Sequence, residues 1–198
     1  MRALDAAAHL AGCRGRVVLH SGRDDDGLGR WSFVAAEPTA TLIANGHSLV
    51  ELDRNGRPAR RFTGDPLEAA ETFLIAHGCT LAGAGAAPEP RVIGYLGYDL
   101  ARVIEKLPGG PMRGHDTPDL WLAAYGAVAR AHNDGDVEVI GHDREAITRL
   151  EERLARPTVP VVPPSFGPLA ADDDGAHHMA RVDRIRDYLA AGDVYQVN

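Results

Sequence analysis

The side chains in this sequence best able to hold a metal are two acidic triplets, Asp24-Asp25-Asp26 and Asp172-Asp173-Asp174, the second followed by His177-His178. Neither has the spaced carboxylates and central glycine of a calcium loop, so both read as solvated acidic loops. Adjacent histidines on a helix point in different directions, whereas a zinc pair sits at i and i+4, and no metal site is assigned. Gly94-x-x-Gly97 follows an apolar run but lacks the spacing and the following long helix of a dinucleotide loop. These glycines are expected instead to let a strand pack closely against a helix. Lys106, the only lysine, lies in a Glu105-Lys106-Leu107-Pro108 turn and receives no catalytic role. Cys13 and Cys79 lack Cys-x-x-Cys spacing and read as reduced thiols, with a disulfide between them as the alternative. Trp121 and Tyr125 fall on one face of an alternating strand and read as core.

Composition narrows the function classes. The 198 residues are 44% hydrophobic and 25% charged, with a formal net charge of -7. That balance suits a folded globular chain. It argues against a nucleic-acid surface, which needs clustered Lys and Arg, because the arginines are scattered. Apolar runs fall far short of the roughly 20 residues of a membrane helix, and Asp5 and His9 interrupt any signal-peptide core. The reading is a soluble cytoplasmic protein with no nucleic-acid or membrane partner.

The elements that must position any site follow from periodicity and punctuation. A short helix is expected over 5–11 and strands over 16–21, 31–36, 39–44 and 48–52, forming an antiparallel meander. Asn45-Gly46 and Asn55-Gly56 supply tight hairpin turns. Asp65 caps a helix that starts at Pro66 and stops at Gly78, with Leu67, Ala70, Phe73 and Leu74 as its buried stripe. Residues 91–100 read as a strand running into a glycine-containing turn, followed by a short helix toward Leu107. Residues 120–131 and 137–140 form a hairpin around Asn133-Asp134-Gly135, and Asp143 caps a helix over 144–156. Five prolines make 157–168 an extended linker. A helix over 177–191 presents Met179, Val182, Ile185 and Leu189 on one face, and a strand begins at Val194. One helix and the start of one strand bury too little to offset their ordering entropy, so residues 169–198 read as the truncated opening of a second domain, with a C-terminal helix docked on the first domain as the alternative.

Motifs spread along the chain carry a family resemblance. Gly94-Tyr95-Leu96-Gly97-Tyr98-Asp99-Leu100, with Ile104-Glu105-Lys106-Leu107-Pro108, resembles the glycine-rich strand-turn of chorismate-using synthase large subunits. Ala191-Gly192-Asp193-Val194-Tyr195-Gln196-Val197-Asn198 resembles the motif that opens their chorismate-binding domain. Val18-Leu19-His20-Ser21 and Arg30-Trp31-Ser32 through Glu37-Pro38 match in type and order. Tyr195-Gln196-Val197-Asn198 is similar to the aminodeoxychorismate synthase branch. His20 departs from the anthranilate synthase pattern, which usually has Glu there.

The resemblance implies an α+β fold: a mainly antiparallel sheet with flanking helices over 1–156, the linker over 157–168, and the first helix and strand start of a chorismate-binding domain over 169–198. It implies amination of chorismate to 4-amino-4-deoxychorismate for p-aminobenzoate and folate synthesis. Ammonia would come from a glutamine amidotransferase subunit or fused domain, and Mg2+ would bind substrate carboxylates. The family's catalytic lysine and metal ligands match no position here, so the isolated chain is expected to be inactive. The resemblance also implies a tryptophan-type pocket at Ser21, Leu28, Gly29, Arg30 and Trp31. There Ser21 can bond a ligand's ammonium or carboxylate, and Gly29 permits close approach. An anthranilate synthase fragment, a stand-alone tryptophan-binding regulatory domain and a docking module for the amidotransferase are the alternatives.

Overall fold

The computed structural model describes residues 1–22, 29–79, 88–108, 117–132, 135–158, 165–168 and 174–197. The chain divides into two compact units, Met1–Pro160 and Val161–Asn198. The architecture is α+β, with two antiparallel sheets and five α-helices among the described residues.

In the first unit, β1 (Val17–Leu19), β2 (Trp31–Ala35), β8 (Ala127–His132) and β9 (Glu138–Gly141) form one sheet in that order. The other runs β5 (Pro58–Thr63), β4 (Ser48–Leu52), β3 (Ala40–Asn45), β7 (Leu120–Ala124), β6 (Val92–Leu96). Side chains alternate across a strand, so each sheet has two faces to cover. Val34, Ala127, Ala129 and Ala131 pack against α1 (Ala3–His9) and α4 (Arg144–Leu154). Ala35 and Val128 point the other way and meet Ile93 and Ala123 of the second sheet. Leu42, Ala44, Leu120 and Leu122 face Ala70 and Phe73 of α2 (Pro66–Ala76) and Leu100 of the 3-10 turn Tyr98–Leu100, which leads into α3 (Ala101–Ile104). The result is four layers: helices, sheet, sheet, helices.

The expected single meander is therefore two sheets. Thr41 of β3 pairs with Ala123 of β7, while Val34 of β2 pairs with Ala129 of β8. Glu37-Pro38 carries the chain from one sheet to the other. Likewise the expected strand over 120–131 breaks at Tyr125-Gly126, so β7 and β8 serve different sheets. Tyr125 is 1% exposed and its hydroxyl donates to the Gly15 carbonyl at 2.7 Å. Burial pushes this phenol well above its ordinary range. At Gly126 a Cβ would lie 2.8 Å from the Cβ atoms of Asp143 and Ala146, so the start of α4 packs on bare backbone.

Asn55-Gly56 joins β4 to β5, which extends the second sheet. Asp65 accepts from the amides of Leu67 and Glu68, and Gly78 adopts φ +68° just past α2. The buried stripe of α2 is Pro66, Ala70 and Phe73; Leu67 and Leu74 flank it, 36% and 37% exposed. Spacing of four and then three residues places the former trio on one line, which displaces the two leucines to its sides. Gly94 and Gly97 permit close approach of strand to strand, not strand to helix. A Cβ at Gly94 would sit 2.0 Å from the Trp121 carbonyl oxygen on β7, and one at Gly97 3.0 Å from that of Asp119. Cys13 and Cys79 are free thiols.

In the second unit Asp174 caps α5 (Gly175–Ala191) through the His177 amide at 2.8 Å, and Gly192 at φ +79° ends it. The Gly192 and Asp193 amides return to the Leu189 and Tyr188 carbonyls. Residues 194–197 form no strand, because no ladder partner is present among the described residues. Half of the expected linker, 159–164, lies outside the described residues. No helix is long and apolar enough to cross a membrane among them.

Asp143 caps α4 through the amides of Glu145 at 2.9 Å and Ala146 at 3.2 Å, and these bonds hold its carboxyl below the usual range. Asp143→Ala is expected to cost about 1 kcal/mol in urea denaturation at neutral pH. A depressed carboxyl contributes above its ordinary pKa and loses that contribution as pH falls through the folded value. The gap between variant and parent should therefore close in acid.

Candidate ligand-binding site

The expected pocket residues lie where β1 ends and β2 begins. Ser21 follows β1 and is tied to β2 twice: its amide donates to Ser32 Oγ at 3.0 Å, and its hydroxyl donates to the Trp31 carbonyl at 2.7 Å. Ser32 is buried, so the first bond satisfies a hydroxyl that would otherwise be orphaned in the core. With its proton committed to Trp31, the Ser21 hydroxyl keeps acceptor capacity only. This geometry matches a ligand's ammonium and not its carboxylate, narrowing the expectation. Gly29 is half-buried and Arg30 exposed; Leu28 lies outside the described residues.

Trp31 pairs in register with His132 of β8, and Phe33 with Arg130, so these four share a sheet face. The His132 ring meets Trp31 edge-on, with centroids 4.7 Å apart and planes at 71°. The Arg130 guanidinium lies 5.1 Å from the Trp31 centroid. Arg130 is only 7% exposed, and its charge is met by Glu138 of β9, whose Oε1 accepts from Nε at 2.9 Å and from Nη2 at 2.7 Å. Nη1 donates to the Pro88 carbonyl at 2.9 Å. A buried cation persists only with such partners. Trp31 is thus a half-buried indole fixed between an imidazole and a guanidinium, with the Ser21 hydroxyl bonded to its carbonyl.

Arg130, His132 and Glu138 were not among the residues expected from sequence. Their signal was a charged side chain inside the apolar run Leu120–Ala131, which required a partner on a neighbouring strand. Trp121, expected in the core, is half-buried and stacks on Tyr95 at 6.4 Å. A cleft between Arg91, Tyr125, Val128 and His142 has a volume of about 30 Å³, room for about one water molecule and not for an amino acid.

Residues 17–198, nearly the whole chain, match the chorismate binding enzyme family. The chain belongs to the chorismate-binding enzyme family. It is 30% identical over 193 residues to aminodeoxychorismate synthase component 1 of Klebsiella aerogenes, covering 92% of this chain and 40% of that protein. It is 26% identical over 215 residues to anthranilate synthase component 1 of Geobacillus stearothermophilus, covering 90% and 41%. In fold it is like anthranilate synthase component I from Streptococcus pneumoniae TIGR4, with a TM-score of 0.53 at 20% identity over 98% of this chain and 46% of that one. The chain spans about two fifths of the length of the curated relatives it matches. Likeness to both synthases places it in the chorismate-binding family without separating the two branches.

Among the described residues of this family member, no three His, Cys, Asp or Glu side chains cluster to hold a metal. Asp174 serves as the α5 cap, while Asp24-Asp25-Asp26, Asp172 and Asp173 lie outside the described residues. The described residues alone therefore supply no ligand set for the expected Mg2+.

Arg130→Ala removes a buried cation, strands the Pro88 carbonyl and uncovers Trp31. It is expected to destabilise the chain by about 2–4 kcal/mol, against about 1 kcal/mol for Ser21→Ala. Urea denaturation followed by tryptophan fluorescence measures both.

Proposed function

We propose that the chain is the N-terminal part of an aminodeoxychorismate synthase component I. In that enzyme chorismate is aminated to 4-amino-4-deoxychorismate for p-aminobenzoate and folate synthesis. The observation carrying this branch is Tyr195-Gln196-Val197-Asn198, the form of the motif associated with aminodeoxychorismate synthases, inside the span that matches the family. Residues 1–156 form its N-terminal domain, 157–168 its linker and 169–198 the opening of its chorismate-binding domain. Ammonia comes from a glutamine amidotransferase, as subunit or fused domain, and the enzyme is cytoplasmic. Mg2+ neutralises the substrate carboxylates through ligands outside these residues.

What this chain contributes is scaffold and an amino-acid pocket at Ser21, Leu28, Gly29, Arg30 and Trp31. The Ser21 oxygen receives the ligand's ammonium, and Gly29 presents backbone without a Cβ in the way. Trp31, held by Arg130 and His132, forms an apolar wall on which an indole can stack. Tryptophan is the ligand this combination favours. His20, in place of the glutamate usual in anthranilate synthases, points to weaker regulation by it.

Titration calorimetry with L-tryptophan is expected to show saturable binding at micromolar to millimolar ligand, weakened about tenfold by Ser21→Ala. A flat titration at millimolar ligand would sink the pocket. With ammonia and Mg2+ the 198-residue chain should leave chorismate unconsumed; measurable turnover would place catalytic groups within it and overturn the assignment of none here.

A further inference from the structure

Past the far end of β2 from Trp31 lies a cleft of about 330 Å³ lined by Arg14, Glu37, Thr39, Arg54, Asn55 and Arg149. Three of its six lining residues are arginines and one is a glutamate. Glu37 pairs with Arg153, and Glu145 pairs with Arg149 at 3.2 Å. The Asp143 carboxylate accepts the amides that open α4, and that of Asp53 accepts those of Asn55 and Arg57 in the β4–β5 turn. Arg14 instead donates to two neutral carbonyls, those of Pro38 and Arg54. The Arg54 side chain donates no hydrogen bond among the described residues and acts on Asp143 only through space. Arg14 and Arg54 thus both line one concavity, and neither makes an ion pair with a carboxylate among the described residues.

The surrounding backbone holds Arg14 in place. The Glu37 amide donates to the Arg14 carbonyl at 2.8 Å, and Tyr125 donates to the next carbonyl, at Gly15. The Arg14 side chain lies across the β4–β5 turn, where a Cβ on Gly56 would meet its Cδ at 2.9 Å. Glu37 has φ +56°, the only non-glycine with positive φ among the described residues, and it precedes a proline. Such a conformation costs about 1–3 kcal/mol and persists only where the surroundings enforce it. Here it turns the chain between the sheets and sets Glu37 at the rim.

We propose that this cleft is a binding site for a small polyvalent oxyanion, a phosphate or a dicarboxylate, received by the guanidinium groups of Arg14 and Arg54. Both ligand kinds present paired oxygens to which an arginine fork donates. The site is separate from the Ser21–Trp31 corner and does not rest on the proposed function.

The test is titration of the 198-residue chain with inorganic phosphate, and separately with succinate, at constant ionic strength. Saturable binding of either supports the site, and the tighter of the two identifies the ligand chemistry. Arg54→Gln should weaken that binding about tenfold or more while leaving the fold intact, because its side chain makes no hydrogen bond or ion pair among the described residues. Arg186→Gln on α5 makes the same change in net charge and should leave binding unaltered. Arg14→Gln removes an anchor as well as a charge, so Arg54→Gln is the deciding variant. No saturable binding of either anion, full affinity in Arg54→Gln, or equal loss in Arg186→Gln would each overturn the proposal.

Discussion

The two sheets of the first unit are held in register by what happens at Tyr125. Its ring fills the space between them beside Ala35, Ile93, Ala123 and Val128, and its hydroxyl reaches the Gly15 carbonyl in the loop after α1. Its amide donates to the Arg91 carbonyl at 2.8 Å, before β6. One residue therefore joins three segments far apart in sequence, at the point where the chain leaves one sheet for the other. A buried phenol without a partner would cost several kcal/mol, so its single hydrogen bond selects the position of the Gly15 loop. Glu37-Pro38 makes the complementary crossing, and Pro38 lies so near Gly15 that a Cβ there would meet its ring carbon at 2.6 Å.

Both candidate sites depend on that crossing. β2 runs between them, with Trp31 and Ser21 at one end and Glu37, Arg14 and the oxyanion cleft beyond the other. Because β2 sits between β1 and β8, neither end can shift without breaking two ladders. Arg130 and Glu138 tie β8 to β9 by an ion pair on the Trp31 side. Residues that bind and residues that fold are consequently interleaved on the same strands.

Local chemistry made much of this readable beforehand. Asp65-Pro66, Asp143, Gly78 and Gly192 announce helix ends because each satisfies or frees backbone groups within a few residues of itself, whereas Asp174, read as acidic loop, caps a helix that starts two residues earlier than expected. Asn45-Gly46 and Asn55-Gly56 announce hairpins for the same reason. The motif around Gly94 pointed to the family, although its glycines turned out to serve contact between strands. In the candidate site, Ser21 and Trp31 do lie together, joined by hydrogen bonds between neighbouring strand ends.

By itself the sequence determined the helices, the turns, most strands and the family, all set by interactions that close over a few residues or by motifs in order. Only the tertiary structure decided which strands share a sheet, because hydrophobic alternation is blind to the partner across a ladder. It also decided that Arg130 lies on Trp31, that the Ser21 proton is committed to a carbonyl, and that Arg14 and Arg54, forty residues apart, face one cleft. The first of these contacts follows from long-range register, in which a shift by one residue would send Arg130 to the face opposite Trp31.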